Sequence, residues 1–318
     1  MRDLEQFQRE LPQHHLAPLW EVLRTLTPRE PASPAVPALW KAAMLREQLH
    51  AAGRLITAAQ AERRVLVLEN PGLPAQSRAT TSLYAGVQLI LPGERARSHR
   101  HSAAALRLVL EGEGAYTTVA GQRIPMHAGD FIVTPSWSYH EHGNDGREPV
   151  IWLDGLDVPI VNALCAGFSE EDTREASARE HPAATAGTTL FSFSYRAARE
   201  QLEQRRHRAG AGQAVRVPYR DPATGRSAFA TMEAALTLVA ADRPLRSARC
   251  TDATVWAVLE GSGTVSVGAE RWSVDPHDLF VVPSWTWHHI EARAELVLFG
   301  FSDRPLQQAL GLWREERR

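Results

Sequence analysis

Two stretches of this 318-residue chain recur, and their recurrence limits the fold more than any other feature. Leu108-Val109-Leu110-Glu111-Gly112-Glu113-Gly114 returns as Ala257-Val258-Leu259-Glu260-Gly261-Ser262-Gly263, 149 residues on. Asp130-Phe131-Ile132-Val133-Thr134-Pro135-Ser136-Trp137-Ser138-Tyr139-His140 returns as Asp278-Leu279-Phe280-Val281-Val282-Pro283-Ser284-Trp285-Thr286-Trp287-His288, 148 residues on. The second half is therefore a copy of the first with one residue deleted between the matches. In the first copy, short apolar and β-branched runs alternate with Gly and Pro, as in strands that turn at the rims of a small barrel. Length and a hydrophobic content of 44% supply a core for each half.

Strands are expected near 64–69, 83–91, 98–101, 105–111, 115–119, 123–125, 130–134 and 149–153. Ahead of them, residues 1–57 read as helix cut by prolines, with 36–49 the best segment because Leu39, Trp40, Ala43 and Leu45 form an apolar stripe. His14 and His15 in this arm read as a solvated or cap-forming pair. The organisation that follows is a helical arm over 1–57, packing on a barrel or a neighbouring subunit, and a first barrel over 58–166. A linker over 167–190 contains a solvated helix start at 169–175. A second barrel over 191–303 and a terminal helix over 304–318 complete the chain.

A net charge of −2 and the lack of a Lys/Arg-rich block leave no field or face for nucleic acid. Lys41 is the single lysine, which removes a P-loop and argues against Schiff-base chemistry. Cys165 and Cys250 make no disulfide framework, and no apolar run is long enough to span a bilayer. A cytoplasmic protein without membrane contact is expected.

The first half holds the histidines spaced like a metal site. His99 and His101 stand two apart, so on a strand both imidazoles reach one face. His140 arrives from a later strand as a third ligand. In the second half the same positions fall on Ala248 and Cys250, leaving His288 alone, and a metal-free barrel is expected. Imidazole suits Zn, Cu, Fe or Ni, so the histidines by themselves do not choose the metal.

The stretches Gly93 to His101 and Gly129 to Asn144 resemble the two cupin motifs, with Ala105 and Leu106 where the first usually carries a Glu ligand and Trp137 where the second has its inner Gly. Three neutral imidazoles without a carboxylate leave the full charge of a divalent metal for an anionic ligand. That combination resembles the gentisate 1,2-dioxygenase family, which includes salicylate and 1-hydroxy-2-naphthoate dioxygenases. The likeness extends through Glu62 to Gly72 and Ile151 to Asp157. It implies an all-β-dominated bicupin, two double-stranded β-helix (jelly-roll) barrels, with an N-terminal helical arm. It further implies Fe(II), an aromatic hydroxy acid and dioxygen as partners, and a homotetramer.

Residue by residue, the resemblance makes Arg107 the grip on the substrate carboxylate, a role suited to a guanidinium fork, with Arg63 or Arg64 as a second anion-binding group and Arg63 favoured by spacing. Tyr84, Gly86 and Gln88 match pocket positions, and Gly86 implies a loose pocket wall. His142 and Asp154 fit an acid/base or histidine-orienting role. The expected activity is ring cleavage of a 2-hydroxybenzoate, gentisate first, with salicylate or 1-hydroxy-2-naphthoate as alternatives. A metabolite-binding regulatory bicupin, a storage-type bicupin and a zinc sugar isomerase are the rivals from other classes. A regulator would carry a DNA-reading element, storage would not need the histidines, and an isomerase would more often keep the carboxylate lost at Ala105.

Overall fold

The computed structural model describes residues 3–173, 191–208 and 214–318, and the chain falls into two units, 1–33 and 34–318. In the smaller unit, helix α1 (Leu4–Glu10) is capped by Asp3, whose carboxylate accepts the Gln6 N–H at 2.7 Å. A 3-10 turn (Leu11–His14) ends on His15 in the left-handed conformation, and helix α2 (Leu19–Leu26) follows. His14 and His15 are exposed and close that turn, as expected.

The larger unit opens with strand β1 (Ala38–Trp40), helix α3 (Ala42–Leu55) and the short α4 (Ala58–Ala61). The helix expected over 36–49 thus begins only at Ala42. Pro37 cannot donate to a helix and biases the residue before it toward extended backbone. Ala38–Trp40 instead pairs with a strand of the second barrel, so Leu39 and Trp40 are strand residues rather than part of a helical stripe.

The first barrel comprises β2 (Val65–Val67), β3 (Tyr84–Ile90), β4 (Arg95–His101), β5 (Ala105–Glu111), β6 (Ala115–Val119), β7 (Gln122–Pro125), β8 (Phe131–Thr134), β9 (His140–Asn144) and β10 (Val150–Leu156). The eight expected strands all form. The addition is β9, whose sequence His-Glu-His-Gly-Asn has no apolar alternation to announce it. Helix α5 (Val158–Ala163), β11 (Ser169–Glu171), β12 (Ser192–Phe193) and helix α6 (Tyr195–Arg208) lead to the second barrel. That barrel contains β13 (Val215–Pro218), β14 (Glu233–Ala240), β15 (Leu245–Cys250), β16 (Thr254–Val267), β17 (Glu270–Val274), β18 (Leu279–Val282) and β19 (His288–Ser302), followed by α7 (Arg304–Ala309) and β20 (Glu315–Arg317).

In the first barrel a sheet ordered β12-β8-β5-β10-β3-β2 is joined by a second ordered β11-β4-β9-β6-β7. In the second barrel the long strands β16 and β19 run through both layers, so β1-β18-β16-β19-β14-β13, with β15, β17 and β20, count as one sheet. Edge strands are exchanged between the halves. β12, from beyond the linker, pairs with β8 of the first barrel, while β1, from the arm, pairs with β18 of the second. The cores also merge: Phe131 of the first barrel packs 5.5 Å from Phe299 of the second, with Tyr219 4.7 Å from Phe131.

The repeat extends past the matched sequences. Asp157, α5 and β11 recur 146 residues on as Asp303, α7 and β20. Asp157 accepts the Ala104 N–H at 2.8 Å, and Asp303 accepts that of Ala253 at 2.9 Å. Two expectations are corrected here. Residues 169–171 are an edge strand on β4 rather than a helix start, and the helix over 304–318 ends at Ala309, before Gly311 at φ +70° and β20. The charged residues are used in pairing: Glu170 meets Arg100 at 2.7 Å, and Glu316 meets Arg249 at 2.7 Å. The remainder of the expected linker, 174–190, lies outside the described residues.

Candidate metal centre and substrate cavity

His99 and His140 are cross-strand partners on β4 and β9, and His101 stands two residues further along β4 on the same face. Their ring centroids lie 4.1 Å (His99–His140), 4.8 Å (His101–His140) and 5.4 Å (His99–His101) apart. Among the described residues this is the one cluster able to hold a metal ion, with one nitrogen from each ring within 4.8 Å of the others. Each Nδ1 sits against a backbone carbonyl two residues away: His99 on Arg97 at 3.2 Å, His101 on Ala103 at 2.7 Å, His140 on Ser138 at 3.0 Å. A carbonyl accepts only from N–H, so the proton is placed on Nδ1 and the Nε2 lone pair is left for the centre.

Burial keeps the rings neutral, as ligation requires. It pushes His99 down to about 3, with nearby Arg63 adding to the effect, and it lowers His101 and, further, His140. The residues fit a metal ion. Sequence reasoning offered Asp154 in an acid/base or histidine-orienting role. In the structure backbone carbonyls set the ring orientation, because each Nδ1 turns back onto its own chain, and Asp154 faces Arg107 instead.

The histidines open onto a cavity of about 560 Å³, within the size range of small-molecule sites. Arg63, Tyr84, Gln88, Arg107, His142 and Asp154 all contribute to its wall. Arg107 is fully enclosed between strands, donating from Nη1 to Thr134 Oγ1 at 2.6 Å, with Nε 3.3 Å from Asp154 Oδ1. Neither Nε nor that Oδ1 completes a hydrogen bond, and His142 Nδ1 is likewise buried without a partner. Such atoms are costly unless a ligand or water meets them. Burial pushes Asp154 up to about 6 against the pull of Arg107, while it holds His142 well below its ordinary value.

The choice between Arg63 and Arg64 is resolved by geometry. Arg64 turns into the protein, donating to Glu94 at 2.5 and 3.0 Å and to the Ile56 carbonyl at 3.0 Å, whereas Arg63 faces the cavity. The chain reverses at Glu62, at φ +55°. Gly86 requires a correction. A Cβ there would lie 2.6 Å from Val65 Cγ1 and 2.8 Å from Tyr84 Oη, so the room left by glycine is filled by those side chains and does not loosen the wall.

Sequence reasoning missed the rim. Phe168 and Ser169 enter the wall from the stretch read as linker, and Val161 and Asn162 from α5. Recurrence of Asp157-x-Pro159 as Asp303-x-Pro305 was the available signal. Trp137, at the position of the motif's inner glycine, adopts φ +63°, and Trp285 in the second copy adopts φ +57°. Strain of ~1–2 kcal/mol at a non-glycine left-handed residue is opposed by packing: Trp137 lies 4.3 Å from Phe168, and the Arg100 guanidinium covers its face at 4.3 Å.

In the second barrel Ala248 faces His288 across β15 and β19, just as His99 faces His140. Cys250 follows at the place of His101, its thiol pushed up to about 12 by burial, which disfavours a thiolate ligand.

Two jelly-roll barrels, one carrying three convergent imidazoles at the floor of a cavity edged by arginine, define a bicupin with a metal-type site. Residues 86–157 match the cupin domain family. Gentisate 1,2 dioxygenase 1 of Aquipseudomonas alcaligenes is 41% identical, over 99% of this chain and 97% of its own. The 1-hydroxy-2-naphthoate 1,2-dioxygenase of Nocardioides sp. is 30% identical, over 98% of this chain and 87% of its own. Salicylate 1,2-dioxygenase from Pseudoaminobacter salicylatoxidans, solved with gentisate, superposes with a TM-score of 0.90 at 31% identity, covering 100% of this chain and 94% of that one. The chain belongs to the gentisate 1,2-dioxygenase family and is a ring-cleaving dioxygenase of that class.

Proposed function

We propose that this enzyme opens the ring of a 2-hydroxybenzoate, gentisate in preference, between the carbons bearing the carboxylate and the adjacent hydroxyl, in an extradiol-type reaction giving maleylpyruvate. The observation that carries the reading is the convergence of three neutral imidazoles beside a buried, incompletely paired Arg107. His99, His101 and His140 would hold Fe(II), which when bound supplies the activation of dioxygen and a seat for a dianionic acid. The protein supplies placement and charge.

Arg107 grips the substrate carboxylate with a charge-assisted hydrogen bond, and Arg63, which also lines the cavity, adds positive potential. Asp154 keeps Arg107 in place and, with a pKa of about 6, is poised to take up the proton of the substrate hydroxyl. His142, held neutral, presents its Nδ1 to the reacting region as a hydrogen-bonding and proton-holding group. Gln88 and Tyr84 fix the ring between them. The second barrel binds no metal, since Ala248 and Cys250 stand where ligands would be needed. We place the enzyme in the cytoplasm as a homotetramer; no helix among the described residues is long and apolar enough to cross a membrane.

The test is anaerobic loading with Fe(II), followed by oxygen uptake with gentisate, salicylate and 1-hydroxy-2-naphthoate. One dioxygen should be consumed per acid, without added reductant, because the substrate supplies all four electrons. A requirement for NADH overturns the mechanism. Stoichiometric binding of an acid with no oxygen uptake favours the metabolite-binding alternative.

A further inference from the structure

The second barrel has lost its metal ligands but kept a cavity, of about 350 Å³. We propose that this cavity is a binding site for a small aromatic carboxylate, separate from the ring-cleaving centre. The lining groups are counterparts of the first site with changed chemistry. Thr237 occupies the place of Gln88: Gln88 is paired with Trp152, and Thr237 with Leu298, 146 residues further on. Trp256 occupies the place of Arg107, since Arg107 is paired with Asp154 and Trp256 with Gly300. The buried ion pair of the first barrel has thus become an indole lying over a bare glycine, where a Cβ would come within 2.7 Å of the ring.

Trp256 Nε1 and Thr237 Oγ1 are buried polar atoms without a partner, on residues 8% and 1% exposed that both line this cavity. Native interiors pair such groups, so two N–H or O–H groups abandoned at one cavity point to an acceptor that arrives from outside. The charge of the wall agrees. Five arginines reach it, including Arg216, Arg304 and Arg317, against Asp252 and Glu315. Arg216 pairs with Glu233 at 2.7 Å, Arg304 with Asp252 at 3.4 Å and Arg317 with Glu315 at 3.0 Å, so the two positive charges in excess are those of Arg246 and Arg318. Arg304 stands where the first barrel has the apolar Val158, so the cation is a feature of this half alone.

The remainder of the wall selects for an apolar body. Leu245, Pro244, Ala214, Ala248 and Val282 face the space, and the volume suits a single ring. His288 lies among them, kept neutral by burial. The site therefore resembles the first in ligand class while lacking the means to react with it. Occupants of that class include an intact hydroxybenzoate and any other ring carboxylate.

Calorimetric titration of the full-length, metal-loaded enzyme with benzoate under anaerobic conditions tests this directly. Two benzoate sites per chain are expected in the parent protein and one in the Thr237→Val, Trp256→Phe double variant. That variant keeps the shape at 237 and an aromatic ring against Phe280 but deletes one ring of a buried indole, so a lowered thermal midpoint is expected while kcat/KM for ring cleavage should match the parent's. A single site in the parent that the variant retains overturns the proposal, as does a second site that survives in the variant. Inorganic phosphate and acetate serve as controls. If either binds the second site as tightly as benzoate, the aromatic part of the assignment is wrong; gentisate and benzoate competing equally for it would support the class.

Discussion

Arg107 and Asp154 face each other directly across β5 and β10, 3.3 Å apart and both at least nine-tenths buried. Removing one member of such a pair leaves a charge that the surroundings cannot solvate, at a cost of about 3–5 kcal/mol. Asp154→Asn should therefore lower the unfolding free energy measured in urea by an amount of that order, and the Asp154→Asn, Arg107→Met double variant, which fills the space without either charge, should lose less than the sum of the two single variants. Because Arg107 also grips the substrate in our reading, Arg107→Met should reduce kcat/KM by about 100-fold, equivalent to ~2.7 kcal/mol. A double-mutant cycle on stability reads the first expectation, and steady-state kinetics the second. Additive stability losses would show that the two charges do not depend on each other.

The metal content of variants distinguishes the barrels. One equivalent of iron per chain is expected, lost in His99→Ala, His101→Ala or His140→Ala and retained in His288→Ala. Elemental analysis after desalting checks this. Two equivalents in the parent, with one lost in His288→Ala, would show that the second barrel binds metal despite Ala248 and Cys250.

The parts of the site that were legible in sequence are those fixed by strand periodicity. His99 and His101 share a face because they stand two apart, and the repeat identified Ala248 and Cys250 as their counterparts. What escaped was set by contacts with no periodic signature. β9 is polar because it carries the ligand His140 and the cavity residue His142, so it lacks the apolar alternation that marks a strand. Ser169–Glu171 has the composition of a helix start, yet backbone pairing with His101, Arg100 and His99 decides its conformation. The direction of Arg63 depended on one backbone reversal at Glu62, and the room beside Gly86 depended on which neighbours lean into it.

Glu111 links the two barrels and should make their union sensitive to acid. Its carboxylate accepts from His277 Nδ1 at 3.0 Å and from Arg46 at 2.5 and 2.9 Å, and these partners, His277 foremost, hold its pKa down to about 2. A carboxyl group depressed on folding stabilises the protein above its unfolded value of 4.5 and loses that contribution as pH falls toward 2. The group is partly exposed, so screening reduces the effect to about 1 kcal/mol. Glu111→Gln should lower stability by that amount at pH 7, with the difference from the parent shrinking below pH 4.5. Urea titrations at pH 7, 5 and 3.5 would measure it. A constant difference across the series would assign the loss to packing rather than charge.

Substrate range turns on Gly86, Val65 and Tyr84. An added methyl at Gly86 would sit 2.6 Å from Val65 Cγ1 and 2.8 Å from Tyr84 Oη, both far inside van der Waals contact. Val65 is β-branched with a stiff χ1, so it resists, and the Tyr84 ring is the part that can swing. Tyr84 lines the cavity, and its displacement takes space from the substrate. A one-ring acid tolerates that loss better than a fused pair of rings. Gly86→Ala should therefore lower kcat/KM for 1-hydroxy-2-naphthoate relative to gentisate, by about 10-fold if the steric difference is worth ~1–3 kcal/mol. Tyr84→Phe in the same background removes the Oη contact and should restore part of the ratio. An unchanged or increased preference for the larger acid in Gly86→Ala would mean that the neighbours of Gly86 yield away from the cavity.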